Sequence, residues 1–269
     1  MTPVSSFLFV ALLGMVENTV IPTDDTNNRI LGGEDAEITE FPSMARLQRI
    51  SPNSYCGATI ISDRWILTAA HCVDGALPVD ITVTVGSKYT MGWFGGSSHQ
   101  ASKIVTHEEY LLKEINGILY DSENDIALVE VEKPFPLNNL TINAARLPLQ
   151  DEDTTEGTTV TAVGWGRIEG DNFTTVLQKV NLKIVSRQEC ERNSLLMVDE
   201  RNLCVADSRR EKGICKGDSG GPLFKNDEVV GITSIGLAHC RSFFLIFIPG
   251  TTFTKVAYFR HWIKQNTGI

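Results

Sequence analysis

Four short stretches constrain the fold more than any other part of the chain. "ITVTVG" (Ile81–Gly86) and "VNLKIV" (Val180–Val185) alternate apolar and polar residues with a period of two, so each can bury one strand face and wet the other. "TTVTAVGWG" (Thr158–Gly166) and "VVGITSIG" (Val229–Gly236) are β-rich runs that end at glycine. The 22 glycines are scattered at turn positions, which fits many short strands rather than a helical bundle. Two segments read as helix. "SRQECERN" (Ser186–Asn193) opens on a serine cap; near the C-terminus "KVAYFRHWIKQNTG" puts Val256, Phe259, Trp262 and Ile263 on one face, with Gly268 as a stop. The expectation is an all-β chain with a terminal helix. At 269 residues, 42% of them apolar, it can fill one large domain or two halves sharing an interface. The acidic, turn-rich stretch "LPLQDEDTTEG" (Leu147–Gly157) suits a connection between two such halves.

The formal charge of −9, with no long basic run, argues against nucleic-acid binding, which needs clustered Lys and Arg to neutralise phosphates. "FLFVALLGMV" (Phe7–Val16) is an uncharged apolar run too short to span a bilayer. It reads as a signal peptide over residues 1–16, ending near Val16, and implies a secreted, extracellular protein with no transmembrane segment. Six cysteines (Cys56, Cys72, Cys190, Cys204, Cys215 and Cys240) fit that compartment as disulfides, although six allow fifteen pairings. Neither a CxxC pair nor a His-rich zinc spacing is present, so no metal or cofactor is expected.

"GDSGGP" (Gly217–Pro222) sets a serine among glycines with an acid beside it, the setting of a nucleophile. A serine hydroxyl needs a base to take its proton. Of five histidines, His71 stands out, because "WILTAAHC" delivers it from an apolar strand through a small-residue turn and ties it down at Cys72. His99 and His107 lie in polar stretches expected to be exposed, His261 falls on the terminal helix, and His239 adjoins Cys240. A base must also be oriented, usually by a buried carboxylate. Asp125 in "ENDIALVEV" runs straight into apolar strand residues and suits that task, whereas Asp121 has a polar, turn-like setting.

"TAAHC", "DIAL" and "GDSGGP", in the chain order His, Asp, Ser, resemble the chymotrypsin-like serine peptidases, as do "RILGG", "CGATII", "GWG" and "TKV". The resemblance runs from Ile30 to the C-terminus. It implies two antiparallel six-stranded β-barrels with a C-terminal helix and a crossover near residues 137–157. It implies Ser219 as nucleophile, His71 as general base and then acid, Asp125 as the group that fixes the imidazole tautomer, and the N–H groups of Gly217 and Ser219 as oxyanion hole. Ser234 matches a buried serine that hydrogen-bonds the triad aspartate. "NNR" before "ILGG" resembles a zymogen junction: cutting after Arg29 would release residues 17–29 as a propeptide and let the Ile30 amine pair with Asp218. The resemblance also selects the disulfides Cys56–Cys72, Cys190–Cys204 and Cys215–Cys240. The family's calcium-loop carboxylates have no match in "VGSKYTMGWFGG", so no calcium is expected.

In that family the residue six before the nucleophile forms the floor of the primary specificity pocket, where trypsin-like members carry Asp and this chain has Gly213. Residues 229–269 contain no Asp or Glu. A substrate Arg or Lys would therefore be buried without a counter-charge, at a cost of several kcal/mol. An apolar pocket is expected, walled by Gly236, narrowed near its base by Ile214, and closed by Gly250 or Thr251. Ile235 replaces the family's usual tryptophan in the substrate platform, and Lys216 lines the cleft rim. "FFLIFI" (Phe243–Ile248) is an apolar insertion suited to extra core, a partner contact or membrane contact. Asn139 and Asn172 are glycosylation acceptors by pattern. The expected partners are protein or peptide substrates, protein protease inhibitors and a separate Arg-cutting activating protease, since this pocket should reject Arg29; a monomer is expected. The alternative is a catalytically weak peptidase-fold binding or regulatory protein.

Overall fold

The structure is a computed structural model that describes residues 33–51, 53–90, 95–115, 118–167, 174–192, 198–207, 213–215, 217–234 and 251–269, with backbone alone at 114–115, 118–121 and 192. The strands, in chain order, are β1 (Glu34–Asp35), β2 (Met44–Arg49), β3 (Ser54–Ile60), β4 (Trp65–Thr68), β5 (Ile81–Val85), β6 (Ser97–Thr106), β7 (Leu111–Ile115), β8 (Ile118–Glu123) and β9 (Ala127–Val131). After a long connection come β10 (Thr159–Gly164), β11 (Gln178–Ile184), helix α1 (Arg187–Arg192), β12 (Asn202–Ala206), β13 (Pro222–Lys225), β14 (Glu228–Thr233) and β15 (Thr251–Lys255). A 3₁₀ turn at Val256–Phe259 leads into the last helix, α2 (Arg260–Thr267).

The first six-stranded barrel closes in the order β2-β3-β4-β9-β6-β5. The second runs β11-β10-β13-β14-β15-β12 and closes through a β11–β12 pairing, with β1 added on the outer edge of β11. Closure removes the exposed sheet edges that would otherwise invite association. The period-two expectation holds along β5, where Ile81, Val83 and Val85 are buried, and along β11, where Gln178, Val180, Leu182 and Ile184 point inward. β9 is buried nearly throughout, because it lies between β4 and β6 and its outer face is also covered.

One apolar cluster fills the first barrel and runs on into the seam between the two, taking in Val163, Trp165, Phe224 and Ile232 from the second. Phe41 and Phe224 stack across this seam at 5.7 Å. A second cluster, built on Val160, Leu182, Val205, Leu223 and Phe253, fills the other barrel. Helix α2 ends at Gly268 in the left-handed conformation and buries Trp262 and Ile263, as its pattern predicts. It crosses back to the first barrel: His107 packs on Phe259 and Trp262 at 5.3 Å each, and Trp262 Nε1 donates to Glu108 Oε2 at 2.8 Å. His107 is therefore not the exposed histidine its polar neighbours suggest. Burial under these rings pushes its pKa down.

Candidate active site

Each barrel sends residues to the seam. On the first side, β4 ends at Thr68 and the chain turns through a short 3₁₀ segment, Ala70–Cys72, which carries His71. The Cys56–Cys72 disulfide ties that turn to β3, across a sequence separation of 16 residues. Closing a loop of this size contributes roughly 3 kcal/mol in the chain-entropy account. Asp125 follows Asn124, a residue at φ 51°, and this left-handed turn swings the carboxylate inward just before β9 begins.

Asp125 is 1% exposed, yet both of its carboxylate oxygens accept hydrogen bonds. The His71 backbone N–H donates to Oδ1 at 2.9 Å, His71 Nδ1 lies 2.7 Å from Oδ2, and Ser234 Oγ donates to the same Oδ2 at 2.7 Å. Thr254 Oγ1, from β15, fixes the Asp125 carbonyl at 2.9 Å. Burial alone would push the carboxyl pKa up, but the imidazole charge and these donors outweigh it and hold Asp125 below its ordinary value. His71 shifts the opposite way. Burial works to lower its pKa, and the Asp125 charge and hydrogen bond more than reverse that, for a net rise. The pair favours charge on both partners, the arrangement a general base needs when it takes a proton.

On the second side, the turn Gly217–Gly221 between Cys215 and β13 carries Ser219. Both barrels hold it. Gly57 N–H of β3 donates to the Ser219 carbonyl at 2.7 Å, Gly220 N–H donates to Thr233 of β14 at 2.7 Å, and Gly221 N–H closes the turn on the Asp218 carbonyl at 2.9 Å. The glycines flanking the serine follow from this crowding. At Gly220, φ is +74° and a Cβ would stand 2.2 Å from Thr68 Oγ1; at Gly57 it would stand 2.6 Å from the Cα of Gly221. Gly217 sits at φ 101°, a conformation that favours glycine.

Asp218 is buried and accepts from Gly166 N–H at 2.8 Å and Cys215 N–H at 2.9 Å. Cβ atoms at Gly164 and Gly166 would meet its side chain at 2.2 and 2.4 Å, which accounts for the glycines of "GWG". Burial pushes the Asp218 pKa up to about 6, with the two backbone donors only partly offsetting it.

The structure brings together His71, Asp125 and Ser234, and sets Ser219 and Gly217 on one turn held by β3 and β14. Among the described residues no hydrogen bond joins Ser219 to His71, whose Nε2 lies 3.7 Å from Cys72 Sγ. Gly213 is partly exposed, and a Cβ there would have no described atom within 4 Å. Thr251, also partly exposed, opens β15 opposite Val205 of β12. Ile214 is 3% exposed and belongs to the apolar cluster of Leu203, Val205 and Phe253 that fills the second barrel. Asn139 is exposed on a turn. Cys190–Cys204 is formed and Cys215 is disulfide-bonded. Arg29, Ile30, Asn172, Lys216, Ile235, Gly236, Cys240, Gly250 and the insertion lie outside the described residues. One group of potential metal-ligand atoms occurs among the described residues, Cys56, His71 and Cys72, but its sulfurs are joined in a disulfide and its imidazole is held by Asp125. The sequence reading missed Ser122, whose hydroxyl lies 2.9 Å from Ser234 Oγ; nothing in its local pattern marks it.

The family model of trypsin matches residues 30–263. The chain belongs to the trypsin family. Among curated proteins, this trypsin-family chain is 35% identical to a brachyurin of Leptuca pugilator over 244 residues, covering 89% of the chain and 99% of the relative. It is 28% identical to trypsin 5G1 of Aedes aegypti over 247 residues, covering 91% and 87%. Among solved structures it resembles the scabies mite inactivated protease paralogue S-D1 (TM-score 0.74, 25% identity, 88% and 97% covered). A second such paralogue, S-I1, matches with a TM-score of 0.72 at 24% identity, covering 88% and 98%, and speaks to the fold alone. Two closed barrels and a short C-terminal helix are the architecture these neighbours share with this trypsin-family chain. Among the described residues no helix is long and apolar enough to cross a membrane.

Proposed function

We propose that this trypsin-family chain is a secreted serine endopeptidase, made as a zymogen, that cleaves after aromatic or large aliphatic residues. The observation that carries the reading is the hydrogen-bonded set His71–Asp125–Ser234 beside a nucleophile turn held by both barrels. Ser219 Oγ attacks the scissile carbonyl while His71 Nε2 accepts its proton; Asp125, on Nδ1, fixes the tautomer and stabilises the imidazolium. The carbonyl oxygen becomes an oxyanion facing the N–H groups of Gly217 and Ser219, each donor being worth roughly 3–4 kcal/mol in such sites. His71 then returns the proton to the leaving amine, and water repeats the sequence on the acyl-enzyme.

Activation follows from Asp218. A carboxylate buried on two backbone donors gains a full counter-charge when cleavage after Arg29 frees the Ile30 amine, and that pairing orders the Gly217 turn. The specificity reading is supported by Gly213, where a Cβ would meet no described atom within 4 Å, and by the lack of any acid in residues 229–269. The disulfides Cys56–Cys72 and Cys190–Cys204 support an oxidising compartment. The test is a cleavage-site profile of the chain activated at Arg29, with Ser219→Ala as control. Cleavage after Phe, Tyr, Leu or Met is expected; cleavage after Arg or Lys, absent from the control, would overturn the pocket reading.

A second reading, a peptidase-fold binding protein, is favoured by the missing Ser219–His71 hydrogen bond and by the likeness to an inactivated paralogue. Labelling of Ser219 by a fluorophosphonate only after cleavage at Arg29 supports the enzyme; no labelling of the cleaved chain supports the binder.

A further inference from the structure

The second serine of the aspartate cluster is where the structure goes beyond its family reading. Ser122 lies at the end of β8, opposite Leu112 of β7, in a two-stranded hairpin that belongs to neither barrel. Ser122 is 8% exposed, and its Oγ lies 2.9 Å from the Oγ of Ser234, itself 7% exposed and 112 residues away in sequence. Ser234 Oγ also lies 2.7 Å from Asp125 Oδ2.

The direction of these bonds is forced by proton counting. An ionised carboxylate only accepts, so the single Ser234 proton goes to Asp125, and the Ser122–Ser234 contact requires Ser122 to donate. The result is a directed chain from Ser122 through Ser234 and Asp125 to His71. A hydroxyl that accepts a hydrogen bond becomes a stronger donor, by about 10–30% per bond in condensed-phase estimates. Resting on the reading of the site given above, we propose that Ser122 is a positioning residue for the catalytic aspartate, acting through Ser234. It orients the Ser234 proton onto Oδ2 and disperses part of the Asp125 charge, which tempers the basicity that Asp125 imposes on His71.

Other charged groups surround Asp125. Lys113, Glu123, Asp199 and Arg201 line the small cavity behind it, and Tyr110 lies within range of its charge. They stay constant between variants, so a comparison at position 122 isolates the hydroxyl. The test titrates the His71 imidazole by NMR in the full chain, which needs no turnover, beside pH profiles of kcat/KM for the cleaved chain. Ser122→Ala is expected to raise the His71 pKa by about 0.1–0.7 pH unit, the fraction above applied to a hydrogen bond to a charged group. The acid limb of kcat/KM should move by the same amount, with kcat falling several-fold and KM little changed. Ser122→Thr, which keeps the hydroxyl, should restore the wild-type titration. In a Ser234→Ala background, Ser122→Ala should shift nothing. An unshifted titration in Ser122→Ala, or an equal shift without Ser234, overturns the proposal. If the NMR shifts appear as expected and the wild-type chain cleaves no peptide, the positioning chain stands and the peptidase reading falls.

Discussion

Asp125 and Asp218 are both buried carboxylates, 1% and 2% exposed, and the protein treats them in opposite ways. Asp125 has an imidazole, a hydroxyl and a backbone N–H, and its pKa is held down. Asp218 has two backbone N–H groups and, among the described residues, no cation; burial raises its pKa to about 6. The difference separates a charge already compensated from one that is not. A compensated carboxylate can serve the chemistry at once, whereas an uncompensated one gives the fold something to gain when a cation arrives. Asp125 lies behind the His71 imidazole, and Asp218 immediately precedes Ser219 in the chain.

The comparison breaks most visibly at Asp125. Asp125→Asn removes the charge but keeps the shape, and in serine peptidases of this kind the corresponding loss is about 10⁴-fold in kcat. Steady-state kinetics on the cleaved chain measures it; a loss under tenfold would mean that Asp125 does not orient the base. The next largest effect concerns Asp218 in the uncut chain. An acid whose folded pKa lies above its unfolded value stabilises the fold most when protonated. Its contribution is full below 3.8 and is lost as pH rises to about 6, some 3 kcal/mol across the window. Asp218→Asn stays neutral, so its uncut form should gain about that much on the wild type between pH 4 and pH 7 in denaturant unfolding. A pH-independent difference would mean that Asp218 already has a cation before cleavage.

How much of this was legible in the sequence depends on the range of each interaction. His71, Asp125 and Ser219 sit in local patterns whose turns and strands could be read directly, and β5, β11 and α2 follow from periodicity. The barrel closures were not legible from strand patterns; they came through the resemblance, since β11–β12 pairing depends on residues far apart in the chain. His107 was misread because its covering rings, Phe259 and Trp262, come from the far end of the sequence. Ser122 could not have been found at all, since its meaning lies wholly in Ser234.

A third carboxylate sharpens the comparison. Gly213→Asp would place a charge where a Cβ meets no described atom within 4 Å, so the fold should accept it. Partly hydrated and unpaired until substrate arrives, it should favour Arg or Lys by the worth of a charge-assisted hydrogen bond, roughly 10–100-fold in kcat/KM over the parent. Peptide-library profiling measures the switch, and an unchanged profile would mean that Gly213 does not floor the pocket.

The smallest expected effect lies just outside Asp125. Arg201 donates to Asp199 through Nε at 2.8 Å, to Glu123 at 3.2 Å and to Asn124 at 3.4 Å, tying the start of the second barrel's β12 to the turn that presents Asp125. Its side chain is 24% exposed, and solvent screens such pairs, so the network should be worth about 1 kcal/mol rather than the larger figure a buried triad would suggest. Arg201→Met keeps the alkyl stem and removes the fork. A fall of a few degrees in Tm, with kcat dropping less than tenfold, would mean that the Asn124 turn is held mainly by its other bonds, the Asn124 side chain on the Glu109 carbonyl and Thr254 on the Asp125 carbonyl. A drop in kcat approaching that of Asp125→Asn would instead make the inter-barrel clamp the element on which the compensated carboxylate depends.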